Sequence, residues 1–578
     1  MIEIGSKMEV PKDILKRTNG FGLTPRALCP RLLTMRPVAL LVLCTARQLA
    51  VGLTGASSPR RQLLTRRGGR MPGLGGAPSD AAKARAEEVL AFIDASPTPY
   101  HCAATAARAF AAAGFEPLDE SAPWATGTIR PGGKYYLTRH EGTILAFTVG
   151  ARLDAGGQFA FKLLGAHTDT PVLKVRPRAG RKPAAAHGLV QLGVECYGGG
   201  LWHTWLDRDL GVAGRVVVRG ADGAFDFRLV RVDRPVVRVP SLCIHLQNAD
   251  ERKALEINKE THLMPVLCAA AAEQLGAKSG AQPATNSSSG AAAAEDAYRG
   301  AQPAPLLALL ADELGVAPEA IVDLDLTLFD TQRGALAGAF GEFVTSSRLD
   351  DQASVAVLTE ALVRHATTPG ALDADADVTV FAAFDHEEIG SESSHGAGSP
   401  VIGDVVERIH RGLRAGAAAP DAAVSDAEHL AAAMRRSILL SIDMAHAVHP
   451  NYAAKHEPAH APHMNKGLVL KVNTNQRYTT DGATGFLVRE LARRAGLPAL
   501  QDFVVRNDCP CGSTIGPILS ARFGVRAADM GMPQLSMHSI REMGGVEDLT
   551  LAHDFFAHFL KDFRALDDSF AKYPCAMT

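Results

Sequence analysis

Five short segments place an acidic or imidazole side chain directly beside an apolar run. Phe159 to Leu164 leads into Gly165-Ala166-His167-Thr168-Asp169, and Val378 to Phe384 into Asp385-His386-Glu387-Glu388. Ile438 to Ile442 leads into Asp443-Met444-Ala445-His446, and Pro533 to Met537 into His538. Asp350 lies just ahead of an apolar helical stretch, Ala353 to His365. Two histidines and three carboxylates form the ligand set two zinc ions need if one carboxylate bridges them. Imidazole supplies neutral nitrogen, and the carboxylates supply the negative charge that holds two dications about 3.5 Å apart. Asp169, two residues beyond His167, shares its face if the strand continues, and can then accept the imidazole N–H and fix the tautomer. In an extended segment Glu387 and Glu388 point to opposite sides. One can then bind metal while the other faces the substrate, where a free carboxylate beside a metal-bound water is a natural general base.

Elements that could position these groups are legible nearby. A buried strand of a parallel sheet reads as an unbroken apolar run, and ligands of open α/β sheets bind beyond the carboxyl ends of such strands. Four of the segments are therefore expected to deliver polar side chains to one edge of one sheet, with Asp350 joining from a loop that starts a helix. Order is expected to begin near Ser79, which with Asp80 can cap a helix carrying Val89, Leu90, Phe92 and Ile93 on one face. Extended runs follow at Tyr135 to Thr138 and Ile144 to Val149. From about Lys174 to Asp233 short β-branched runs alternate with Gly, Asp and Pro turns, as in a β-rich module. The Ala/Gly/Ser/Pro-dense stretch Ala277 to Pro305 reads as a disordered loop, and Ala415 to Ala433 as a surface insertion or plain helix. After Phe343 strands and helices alternate, which implies an α/β domain with a largely parallel sheet.

Composition narrows the function classes. The 578 residues are 47% hydrophobic and 21% charged, and the formal net charge is −2, so no global field favours nucleic acid or an anionic membrane. No stretch reaches the roughly 18 apolar residues of a membrane span; Pro37 to Ala46 is too short. Nine scattered cysteines read as reduced thiols, hence a reducing, cytoplasmic setting. Between Ile14 and Ser79 there is no Asp or Glu while Arg recurs, the composition of an organelle transit peptide. The alternative is an extension from an upstream start codon, with Met35 or Met71 the real start.

The segments resemble the aspartyl aminopeptidase family of two-zinc metallopeptidases, from about Ala91 to Leu560. The resemblance is carried by Gly165-Ala166-His167-Thr168-Asp169, Tyr197-Gly198-Gly199-Gly200, Trp205 with Asp207-Arg208-Asp209-Leu210, and Arg348-Leu349-Asp350. Asp385 with Glu387-Glu388, the run Asp443 to Asn451, and Gln534 through Glu542 complete it. It implies that His167 and Asp443 hold one zinc, Glu388 and His538 the other, that Asp350 bridges, and that Glu387 is the general base. Lys471 would pair with the acidic side chain of the substrate, Tyr478 and His446 would line the substrate site, and His245 would complete the pocket of a neighbouring subunit. The implied fold is a mixed, largely parallel sheet flanked by helices. Residues 1–78 form an extension, 79–173 and 335–578 the catalytic domain, and 174–334 an inserted β-rich dimerisation domain. Dimers would assemble into a dodecamer that admits peptides with an acidic N-terminus. Asp351 stands where Asn is usual, His386 replaces an Asn, and Cys509 stands where Ser or Thr is common.

Two other classes fit parts of this pattern. A broader two-metal aminopeptidase or deacylase would share the ligands but not need Lys471. A catalytically silent assembly protein would have no reason to keep five ligands and Glu387 together.

Overall fold

The computed structural model describes residues 77–153, 159–180, 187–271, 300–416 and 424–570. The N-terminal extension up to residue 76, most of the stretch 277–305 and residues 417–423 of the second Ala-rich stretch lie outside these.

Ser79 caps the first helix, Asp80–Asp94, by accepting the Ala82 N–H, and the helix buries Val89, Leu90 and Ile93 as the spacing predicts. The central sheet has nine strands. From edge to edge they are Glu116–Pro117, Lys134–Arg139, Thr143–Val149, Val378–Phe384, Phe161–His167, Ile438–Ile442, Arg526–Gly531, Val469–Lys471 and Gln501–Phe503. Four neighbours in the middle run parallel, with Phe384 level with His167 and Ser441 with Gly165. These registers bring the carboxyl ends of three predicted strands side by side. The mixed, largely parallel fold read from the sequence is the fold found.

Both faces of the sheet are covered, which is why its central strands read as continuous apolar runs. Along Val378–Phe384 the side chains alternate between two cores: Phe381 and Ala383 enter one, and Val380, Ala382 and Phe384 the other. The first core is closed by helices Asp80–Asp94, Pro99–Ala112, Leu349–Thr367, Gly482–Arg494 and Val546–Asp568, the second by Val401–Ala415, Asp426–Arg436 and Ile515–Phe523. Lys162 breaks one apolar run yet is 1% exposed. Its ammonium is satisfied there by the Asp375 carboxylate at 2.9 Å and the Leu560 carbonyl at 2.7 Å.

The β-rich stretch forms a separate six-stranded antiparallel sheet, ordered Phe225–Val237, Leu210–Arg219, Ile321–Asp330, Val172–Gly180, Leu189–Tyr197, Val266–Ala269. It has its own core, to which the helix Ala304–Leu314 adds Leu306, Leu307 and Leu310.

One expectation is corrected. The strand before His538, Pro533–Leu535, is not in the central sheet; it belongs to a five-stranded sheet with Ala335–Ala337, Phe343–Ser346, Glu542–Gly545 and Ala445–His446. The central sheet gives up the chain at Gly531, and Pro533 has no N–H with which to continue a ladder.

Candidate active site

His167 ends its strand with its ring 2% exposed. Its Nδ1 lies 3.1 Å from the Asp169 carbonyl and 3.4 Å from Asp169 Oδ1, and its Nε2 faces Asp350 Oδ1 at 3.5 Å. Asp350 lies in the first turn of helix Leu349–Thr367, at backbone angles that are not helical, so its carboxylate reaches sideways toward the sheet edge. Its other oxygen, Oδ2, lies 3.4 Å from His538 Nε2, and His538 Nε2 lies 3.3 Å from Glu388 Oε2. The Asp350 carboxylate thus stands between the two imidazoles. His538 arrives from the five-stranded sheet at a left-handed turn, its N–H donating to Glu542 Oε1 at 2.7 Å.

Glu387 and Glu388 are not extended, as the sequence argument assumed. They open a single 3-10 turn, Glu387–Ile389, and both of their N–H groups donate to the Asp169 carboxylate at 3.1 Å. Their separation of roles therefore comes from the turn and from what each meets. Glu388 reaches His538, while Glu387 stays half-buried beside the cluster. Asp443, at the end of Ile438–Ile442, is held by Lys471 Nζ at 2.9 Å. Gly531 permits the close passage there, since a Cβ at that position would lie 1.8 Å from the Asp443 carbonyl oxygen.

The electrostatics mark a site short of positive charge. Asp169, Asp350, Asp351, Asp443 and Glu542 are all buried. Burial and the Asp350 charge push Glu388 well above the carboxylate range, and burial raises Asp443 and Asp351. Burial, with the charges of Asp443, Asp169 and Asp350, pushes Glu387 up to about 8. Burial alone would raise Asp350 and lower His538. Instead His167 and His538 hold Asp350 below its ordinary value, and Asp350 and Glu388 raise His538 to about 10. Buried oxygens Asp350 Oδ1 and Glu388 Oε1 have no hydrogen-bond partner. Ligand atoms of His167, Asp350 and Glu388 lie within 4.8 Å of one another. Tetrahedral zinc with ligands at about 2.0–2.2 Å spaces them roughly 3.3–3.5 Å apart, the spacing found around Asp350. Unpartnered carboxylate oxygens, excess negative charge and this spacing all fit divalent cations.

Residues 92–560 match the family model described as aminopeptidase I zinc metalloprotease (M18). The chain belongs to the M18 family. It is similar to the aspartyl aminopeptidase of Aspergillus oryzae, 44% identical over 83% of this chain and 96% of that one. It is also 40% identical to the aspartyl aminopeptidase of Dictyostelium discoideum, over 84% and 97%. Among solved structures, the cryo-EM structure of the Ape4 and Nbr1 complex is similar with TM-score 0.76 and 38% identity, over 86% of this chain and 89% of that one. The S. cerevisiae mApe1 dodecamer is similar with TM-score 0.70 and 29% identity, over 85% and 100%. This M18 chain is accordingly a metallo-aminopeptidase, as the resemblance implied.

The remaining sequence-predicted residues divide in two. Lys471 is 3% exposed, and its ammonium sits 5.4 Å from the centre of the Tyr478 ring. The His446 ring meets Phe503 edge-on at 5.5 Å, and Phe503 in turn meets Tyr478. His245 is apart from this group, exposed on the turn Ile244–Leu246. Sequence reasoning did not single out three M18 residues as supports. Glu542 accepts the Asp350 N–H at 3.0 Å as well as that of His538. The Tyr197 hydroxyl donates to Asp169 at 2.6 Å, and Asp351 accepts the His167 N–H at 3.2 Å. Glu542 and Tyr197 both lie within quoted motif segments, but only their position across other elements reveals what they hold.

Among the described residues no helix is long and apolar enough to cross a membrane.

Proposed function

We propose that this enzyme is an aspartyl aminopeptidase that removes N-terminal Asp or Glu from peptides. The observation that carries the two-metal reading is the Asp350 carboxylate, one oxygen toward His167 and the other toward His538. His167 and Asp443 would hold one zinc ion, Glu388 and His538 a second, and Asp350 both. Bound there, the ions supply Lewis acidity and a water acidified toward neutrality.

The chain's own residues do the rest. Glu387 takes the proton of the attacking water and returns it to the leaving amine. Asp169 orients His167 through Nδ1, its carbonyl accepting at 3.1 Å with its carboxylate alongside at 3.4 Å, and fixes the turn that presents Glu387, so one residue aligns base and ligand together. His446 would stabilise the oxyanion, with Tyr478 lining the pocket. Lys471 is the specificity cation. An ammonium has three N–H donors; one is engaged by Asp443 and two remain for the carboxylate of a substrate Asp or Glu. A site built around a buried cation rejects an apolar side chain that leaves it unpaired.

The domain reading is that 174–334 is a dimerisation domain inserted between 79–173 and 335–578. The similar mApe1 structure is a dodecamer, and a homo-oligomer of dimers is proposed here too. Leu242, Ile244, Leu246 and Leu255 stand exposed around His245, an apolar loop suited to a neighbouring subunit. His245 would then complete that neighbour's pocket, and the enclosed assembly would admit peptides. Free thiols at Cys102, Cys196, Cys243, Cys268, Cys509 and Cys511 support a reducing, cytoplasmic location.

Reporter peptides beginning with Asp, Glu, Leu and Ala test the proposal. Asp and Glu are expected to be cleaved at least about tenfold faster than Leu and Ala, with all activity lost to a chelator. Equal rates on Leu and Asp would replace it with the broader two-metal enzyme, and chelator-resistant cleavage would remove the metals from it.

A further inference from the structure

We propose that Asp385, His386 and His395 form another divalent transition-metal site, next to the turn that carries Glu387 and Glu388. Asp385 follows the strand Val378–Phe384, and its side chain is 3% exposed. Its Oδ2 faces two imidazole nitrogens, His395 Nε2 at 3.6 Å and His386 Nε2 at 3.9 Å. Ligand atoms of the three residues all lie within 4.8 Å of one another.

The partners of the remaining atoms make this more than a polar cluster. His386 Nδ1 lies 2.8 Å from the Ser393 hydroxyl, and His395 Nδ1 lies 3.1 Å from the Ser394 hydroxyl. Each imidazole therefore engages Nδ1 with a serine and turns Nε2 toward the same oxygen. That arrangement is how a metal-bound histidine is oriented by its outer neighbours. Asp385 Oδ1 accepts the His386 N–H at 2.9 Å, so Oδ2 is the oxygen left over. Neither imidazole is close enough to hydrogen-bond it.

Zinc bonds of about 2.0–2.2 Å in a tetrahedron set ligand atoms roughly 3.3–3.5 Å apart, so the Asp385 oxygen needs a closure of only a few tenths of an ångström toward each imidazole to share a cation with it. The oxygen needs room, and Gly142 provides it: a Cβ there would lie 2.3 Å from Asp385 Oδ2. A small cleft lined by Tyr100, Lys174, Tyr197 and Thr327 reaches Asp385 and His386, with room for about one water as fourth ligand.

Two imidazoles and one carboxylate select Zn²⁺, Co²⁺ or Ni²⁺ over Mg²⁺ and Ca²⁺, which prefer all-oxygen sites. A cation here would hold His386, the residue before the turn, while Asp169 holds the turn's two N–H groups.

Metal counting on the full chain tests the site. Wild type and the variants His395→Gln and His386→Asn/His395→Gln are stripped, equilibrated with buffered free zinc and analysed for metal per subunit. Wild type is expected to hold one equivalent more than either variant, whatever number the Asp350 cluster binds. Equal counts would overturn the site without touching the reading of the catalytic centre. Zinc-edge anomalous scattering from wild-type crystals needs no variant to fold. A peak bonded to Nε2 of both histidines is expected, and a map with density only around Asp350 would remove the proposal.

Discussion

Asp169→Asn is the sharpest perturbation of the proposed centre, because it changes one atom in a buried residue that touches no substrate. The native carboxylate is fully buried, accepts the Tyr197 hydroxyl and the Glu387 and Glu388 N–H groups, and faces His167 Nδ1. An amide keeps one accepting oxygen and turns an NH₂ toward donors on its other side. At least one backbone N–H of the turn then loses its acceptor, and the imidazole loses its anionic neighbour. A hydrogen bond to a charged group contributes about 1.5–3 kcal/mol. Relaxation of the turn absorbs part of this, which leaves zinc affinity about 10- to 100-fold weaker, the usual cost of losing such an orienting partner. Activity on an Asp reporter should fall at least as far, since Glu387 moves with the turn. Zinc titration of stripped protein against a chromogenic chelator, with kcat/KM on the loaded enzyme, measures both. Tyr197→Phe removes only one of these hydrogen bonds and should give a smaller loss of about 1.5 kcal/mol. If Asp169→Asn kept both quantities within about twofold of wild type, the claim that this carboxylate aligns base and ligand would be wrong.

Three further outcomes are expected. Glu387→Gln should lower kcat by about 10²- to 10⁴-fold with metal content unchanged, and a fully active variant would take the base role from Glu387. Lys471→Leu should cost Asp and Glu substrates about tenfold or more beyond its effect on Leu substrates, because one desolvated ion pair is lost. Lastly, burial, helped by Arg231, lowers His101 from 6.5 to about 4. Being depressed, its contribution to stability is complete above the unfolded value and is lost as pH falls through the window from 6.5 to about 4. Urea unfolding should show about 2 kcal/mol lost between pH ~7 and pH ~5, and His101→Gln should flatten that slope.

What was legible in the sequence is what local pattern dictates. Val378–Phe384 and Ile438–Ile442 were readable to the residue because both faces of those strands are buried, and Ser79 announced its helix because a cap is a short-range signal. Asp350 stood out because a polar residue ahead of a buried helix has few places to go. The assignment of His538 to the same sheet failed because Pro533–Leu535 looks like any other short strand. Which sheet it joins depends on Glu542–Gly545 and Ala445–His446, distant in the chain. Geometry at Glu387-Glu388 was misread for a related reason. A 3-10 turn held by Asp169 from 218 residues away leaves no periodic trace. The same holds for Tyr197 and Glu542, whose types are ordinary and whose partners come from other layers.

His538 comes from a second sheet late in the chain and lies 3.4 Å from Asp350 and 3.3 Å from Glu388, which earlier elements carry. Until the segment carrying His538 has been synthesised and docked, the Asp350 carboxylate has an imidazole on one side only. A ribosome-bound chain without that segment therefore lacks one of the proposed metal ligands. Late completion of the centre makes hydrolytic competence a report on correct folding.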